Sequence, residues 1–123
     1  MTTGNVVGVL ARVFVEDLDS AVDFYTSITG GAAQRFSFRD VELARVGDFL
    51  LLAGDASAYG DRTATVLVRS LEPVIRDLAT YDGAVVEGPT PGPNGRRLIA
   101  RHPDGSVFEY IEEIHPPSTR AAG

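Results

Sequence analysis

The sequence predicts an α+β domain of two tandem βαβββ modules sharing a concave central sheet, and three observations carry this reading. The chain repeats itself: Ala11, Val13, Val15, Leu18, Val22 and Gly30 are answered 53 residues later by Ala64, Val66, Val68, Leu71, Ile75 and Gly83. Strand, helix start, helix face and helix stop therefore recur in one register. Each copy opens with an alternating β-branched run that passes directly into helical periodicity. Four strand-like runs then separate the two helical segments, where a ferredoxin-like βαββαβ domain would place only a pair. A doubled half-domain forms a concave surface between its copies, so a binding site is expected on the strands that meet there.

The elements follow in order. Residues 9–15 (VLARVFV) alternate as a strand with one buried face. Asp17 is placed to cap a helix in which Leu18, Ala21, Val22, Tyr25 and Ile28 fall on one side, and Gly30-Gly31 ends it. Strands are expected near Gln34–Phe38, Val41–Val46 and Phe49–Ala53, with turns at Arg39-Asp40 and Gly47-Asp48. The small, polar stretch Gly54–Asp61 reads as the connection to the second copy. There, Thr63–Val68 is a strand, and Ser70 caps a helix that tolerates Pro73 in its first turn and presents Leu71, Val74, Ile75 and Leu78 before Gly83 stops it. Ala84–Glu87, Arg97–Arg101 and Val107–Glu112 complete the module. Gly88–Gly95 (GPTPGPNG) reads as a long proline-rich loop, Pro103-Asp104-Gly105 as a hairpin turn, and Pro116–Gly123 as a tail. The expected organisation is a single domain over 1–123, with module one at about 8–54, a linker at 55–61, module two at about 62–113 and a tail at 114–123.

Composition removes several classes of function. With 123 residues, 44% of them hydrophobic, the chain can bury a real core as one domain. No apolar run approaches the ~18 residues of a membrane span. Met1–Asn5 lacks the basic start and apolar stretch of a secretion signal, so a cytoplasmic location and no membrane partner are expected. Cysteine is absent, which removes disulfides, thiolate metal sites and thiol nucleophiles. All 11 cationic residues are arginine, which removes Schiff-base and lysine-base chemistry. The net charge of −6, with no basic stripe, argues against nucleic acid. Neither GPTPG nor GPNG is a phosphate loop, and no serine has a patterned histidine and acid.

The stretches VFVEDLDSAVDFYTSITGG and RHPDGSVFEYIEE, residues 13–31 and 101–113, resemble the opening βα unit and closing hairpin of the vicinal oxygen chelate superfamily. That group includes glyoxalases, bleomycin-resistance proteins and extradiol dioxygenases. The resemblance implies paired βαβββ modules whose first strands meet edge to edge with helices outside, and pairing of two copies into a homodimer. Metal-dependent members draw ligands from four central strands, and the motif carries those positions onto Leu10, Ala53, Thr63 and Glu109. Of these only Glu109 is a donor for zinc, nickel or iron, so no metal and no cofactor are expected. His102 on the hairpin turn and His115 beyond the last strand are expected to point away from the concave face.

Alternation assigns the cavity lining. With Ala11, Val13 and Val15 under the helix, Leu10, Arg12 and Phe14 face the concavity; the fifth strand offers Thr63, Thr65 and Leu67, and the eighth Val107, Glu109 and Ile111, while Phe108 and Tyr110 go to the core. Arg12 and Glu109 share that space, where an isolated charge is costly, so a pair between them is expected. Phe24-Tyr25 is read as packing, and Arg96-Arg97 with the Gly88–Gly95 loop as either a lid over a ligand or a plain connection. The function expected is metal-independent binding of an aromatic or polycyclic small molecule, of the sequestering, drug-resistance kind. The alternative is a metal-free isomerase, cyclase or lyase using Glu109 as acid or base and Arg12 to stabilise negative charge. A third possibility, an interaction module, would have a closed core and no cavity.

Overall fold

A computed structural model describes residues 4–55, 60–93 and 95–113. Its elements are β1 (Val6–Phe14), α1 (Leu18–Thr29), β2 (Ala33–Phe38), β3 (Val41–Val46), β4 (Phe49–Gly54), β5 (Arg62–Val68), α2 (Leu71–Thr80), β6 (Ala84–Gly92), β7 (Gly95–Arg101) and β8 (Val107–Glu112). They form an 8-stranded sheet in the order β2-β3-β4-β1-β5-β8-β7-β6. The two opening strands pair antiparallel at the centre, with Leu10 opposite Thr65 and Ala11 opposite Ala64. Each is flanked by the last strand of its own module in parallel, β1 by β4 and β5 by β8. The expected βαβββ duplication, the central edge-to-edge pairing and the four strands between the helices are all present.

Local chemistry sets the helix ends. The Asp17 carboxylate accepts the Asp19 and Ser20 backbone N–H groups, and Gly30 closes α1 in the left-handed region at φ 73°. Ser70 accepts Glu72 N–H at the start of α2, and Glu112 of β8 accepts Leu71 N–H at 2.9 Å. At the far end Gly83 is needed for a different reason from Gly30. Asp82 is the left-handed residue at φ 68°, and a Cβ on Gly83 would lie 2.7 Å from Leu78 Cδ2 and 2.8 Å from the Arg101 carbonyl oxygen.

Apolar side chains fill both faces of the sheet. Under α1, Leu18 and Val22 pack on Ala44, Val46, Leu51 and Ala53. Under α2, Leu71 and Leu78 pack on Val66, Val68, Leu98 and Ala100. The concave face carries its own cluster, Leu10, Val41, Leu43, Leu50, Leu52 and Leu67. Each fully buried leucine contributes about 1.5–3 kcal/mol relative to exposure.

Two expectations need correction. Ala53 faces α1, and it is Leu50 and Leu52 of β4 that face the concavity. Gly88–Gly95 is no free loop, because β6 continues to Gly92 against β7, with Glu87 opposite Ile99 and Thr90 opposite Arg97. The register shift between them is a bulge around Gly88, whose φ is 86° and where a Cβ would lie 2.7 Å from the Arg97 carbonyl oxygen. The prolines that suggest a loop are compatible with this strand because β6 is the edge of the sheet, where a missing N–H breaks no ladder. His115 and the 114–123 tail lie outside the described residues, as does most of the linker.

Candidate functional site: a cavity with a doubly clamped glutamate

The concave face encloses a cavity of about 340 Å³. Its walls are Leu10, Phe36, Phe38, Leu43, Leu50, Leu67 and Ile111, and its polar lining comes from Gln34, Arg45, Arg97, Glu109 and Glu113. Beside it, a smaller recess of about 30 Å³ is lined by Arg12, Phe38, Val41, Leu43, Leu52, Arg97 and Glu109. Glu109 and Arg97 thus belong to both spaces.

Glu109 is held from two sides. Arg12 Nη1 donates to Glu109 Oε1 at 3.0 Å and to Thr65 Oγ1 at 2.7 Å, while the Thr65 hydroxyl donates to the same Oε1 at 2.8 Å. Arg97 Nε donates to Oε2 at 2.8 Å. The side chains of Arg12, Arg97 and Glu109 are 5%, 5% and 12% exposed, so these charge-assisted bonds run where water screens little. Burial is the largest influence on the Arg12 guanidinium and lowers its pKa from the ordinary value; Glu109 pulls the other way, and Arg62 and Arg97 add to the lowering. The guanidinium stays charged all the same, because arginine is not deprotonated in proteins.

Arg97 is further fixed by Phe38, whose ring centroid lies 5.0 Å from its guanidinium carbon. Near the mouth, Arg45 and Glu113 pair at 2.6 Å. On the helix side of β8, His102 Nε2 lies 2.7 Å from the Tyr110 hydroxyl and the imidazole stacks on Phe108 at 4.2 Å, so this histidine serves packing away from the cavity. Burial raises the Tyr110 pKa from its ordinary value.

Of the residues assigned from sequence, Leu10, Leu67, Glu109 and Ile111 line the cavity, and Arg12 and Thr65 form its inner network. Phe14 is 46% exposed at the end of β1 and lies outside it. Thr63 is exposed because β5 carries a bulge between Arg62 and Thr65. That bulge sets Arg62 opposite Val107 while Thr65 stays opposite Glu109, so Arg62 takes the inward phase that simple alternation gives to Thr63. Val107 lies at this margin, partly exposed and away from the cavity wall.

Arg97, read from sequence with the Gly88–Gly95 segment, is a wall residue of the cavity. Leu98 and Ala100 pack under α2, so the period-2 rule turns Arg97 and Ile99 inward and Arg96 outward, where it pairs with Glu72 and Glu112. The signal is present in Arg97–Arg101, where the buried Leu98 and Ala100 fix the phase of the strand. The inward residues of β2 and β3 are Phe36, Phe38, Leu43 and Arg45, none of them assigned from sequence.

The side chains at this site do not fit a divalent metal. Glu109 has neighbours of leucine and threonine, both its oxygens already accept from other side chains, and two guanidiniums would repel a cation there. Among the described residues no group of three or more histidine, aspartate or glutamate side chains converges.

No family model and no curated protein matches the chain. Among solved structures, an uncharacterized protein from Methanosarcina mazei is 34% identical, with a TM-score of 0.84 over 90% of this chain and 95% of that one. Methylmalonyl-CoA epimerase from Mycobacterium tuberculosis is 22% identical, with a TM-score of 0.66 over 100% of this chain and 97% of that one. A variant of the Streptomyces coelicolor methylmalonyl-CoA epimerase, in complex with 2-nitronate-propionyl-CoA, is 17% identical, with a TM-score of 0.62 over 89% and 96%. The epimerases share the curled sheet of the vicinal oxygen chelate superfamily, to which they belong. With its module order, central strand pairing and concave cavity, this chain has the vicinal oxygen chelate fold and belongs to one family with the Methanosarcina mazei protein.

Proposed function

We propose that the protein binds a small organic molecule in the central cavity without a metal ion, and that an aromatic or polycyclic compound is the best match. The carrying observation is the cavity itself, about 340 Å³ with leucine, isoleucine and phenylalanine walls and a few convergent polar groups. This is the usual make-up of a ligand site and speaks against a closed-core interaction module. Sequestration of a drug-like molecule is the simplest use of such a cavity. The test fills it: Leu67→Trp, placed on the cavity floor, should weaken binding of a polycyclic fluorophore at least ten-fold while circular dichroism stays native. Undiminished binding by the folded variant overturns the assignment.

A second reading, a metal-free isomerase, draws support from the epimerase neighbours. Glu109 would move the proton and the guanidiniums would stabilise the enolate-type charge. The geometry sets a condition on it. Both Glu109 oxygens hold hydrogen bonds from arginine and threonine, so a proton acceptor role requires one of these to be exchanged for substrate. Incubation with methylmalonyl-CoA in deuterated water separates the readings: deuterium entering the substrate in wild type, and not in Glu109→Gln, supports catalysis, whereas no exchange leaves the binding function.

A further inference from the structure

We propose that the inner end of the cavity is a carboxylate subsite, so that the molecule bound there is an organic monoanion with an apolar body. The inference rests on the small-molecule binding reading and adds the charge of the ligand. Two guanidiniums gather at this end, each with 5% of its side chain exposed, those of Arg12 and Arg97. Against them, among the described residues at this end, stands one buried carboxylate, Glu109. The other acidic neighbour of Arg97, Glu87, is 42% exposed and lies toward solvent, where its charge is screened. The buried side therefore carries excess positive charge, which a low-dielectric site tolerates poorly without an anion.

Unspent donors point the same way. Arg97 uses Nε on Glu109, and its Nη1 is 3.6 Å from Glu87, beyond a good hydrogen bond. It lines both the main cavity and the recess, so its fork can reach an anion in either. Arg12 Nε is buried without any hydrogen-bond partner. The recess beside these two residues, about 30 Å³, is the size of one small polar group, while the apolar walls of the larger space suit the rest of the molecule. Attraction of anions by the molecule as a whole is ruled out as the cause, because the net charge is −6.

The experiment compares naphthoate with its neutral isostere naphthamide by isothermal titration, on wild type, Arg97→Met and Arg12→Met, each checked for a native melting transition. Naphthoate should bind wild type at least ten-fold more tightly than the amide, with a preference that persists at raised salt. In Arg97→Met the ratio of acid to amide affinity should fall to about one, whatever the amide affinity itself becomes; Arg12→Met, read in the same way, covers the case in which Arg97→Met fails to fold. Equal affinities for acid and amide in wild type overturn the carboxylate subsite and leave the cavity-binding reading standing. Absence of binding by either compound overturns both.

Discussion

The two modules share one backbone plan and place opposite chemistry on it. In module one Leu50 of β4 lies beside Arg12 of β1; in module two Glu109 of β8 lies beside Thr65 of β5. Leu43 of β3 pairs with Leu52, whereas its counterpart Arg97 of β7 pairs with Ile111. Module one thus supplies an apolar wall, with Phe36 and Phe38 added from β2, and module two supplies most of the buried charge. A duplicated fold fixes positions on the concave face and leaves their chemistry free. Polarity across the cavity, with a greasy side and an ionic side, is what this division of labour produces.

Breaking the ionic side should have the larger effect. Glu109→Leu leaves two buried guanidiniums without their shared carboxylate and should destabilise by about 3–5 kcal/mol in urea unfolding, whereas Leu50→Ala, at the corresponding position of module one, borders existing empty space and should cost about 2–3 kcal/mol, near the low end for a buried leucine. If the two losses are equal, or Leu50→Ala is the greater, the charge network is no more than a packing element.

The helix starts sharpen the comparison at smaller scale. Ser70→Ala removes a 3.4 Å capping bond to Glu72 N–H and a side-chain hydrogen bond to Glu112, and should cost about 0.5–1 kcal/mol, because Glu112 still accepts the neighbouring Leu71 N–H. A loss well above this would mean that Glu112 does not share the capping of α2.

The last effect is a dependence on acid. The Ser20 hydroxyl holds the Asp17 carboxyl below its ordinary pKa, and Arg96 does the same for Glu112. A carboxylate depressed in the folded state stabilises it above the unfolded pKa, and that contribution is lost as pH falls through the folded value. Stability should therefore decline below about pH 4. Replacing Asp17 with Asn should remove the Asp17 part of the decline, and Arg96→Met should reduce the Glu112 part, leaving that of Asp104 in place. A profile unchanged in both variants would remove these caps from the acid response.

Much of this is legible in one dimension. The strand faces of β1, β5 and β8 follow from period-2 alternation, which places Leu10, Leu67, Glu109 and Ile111 on the cavity and brings Arg12 to Glu109 across 97 positions of sequence. Thr63 fails because one bulge inverts the alternation on β5, and Ala53 fails because motif transfer carries a position that the phase of β4 turns toward α1. Gly88–Gly95 reads as a loop because proline content does not reveal that a strand lies at an edge.

The sequence by itself determined the duplicated βαβββ plan, the helix caps and the absence of thiol and lysine chemistry. These depend on residue identity and short-range periodicity, which the chain carries locally. Only the tertiary structure decided that Arg97 joins Arg12 on one carboxylate, that Arg62 replaces Thr63 on the inner face, and that a cavity remains open between an apolar and an ionic wall. Those outcomes depend on strand order, bulges and the packing of side chains far apart in sequence, and a one-residue change of phase reverses every face that follows it.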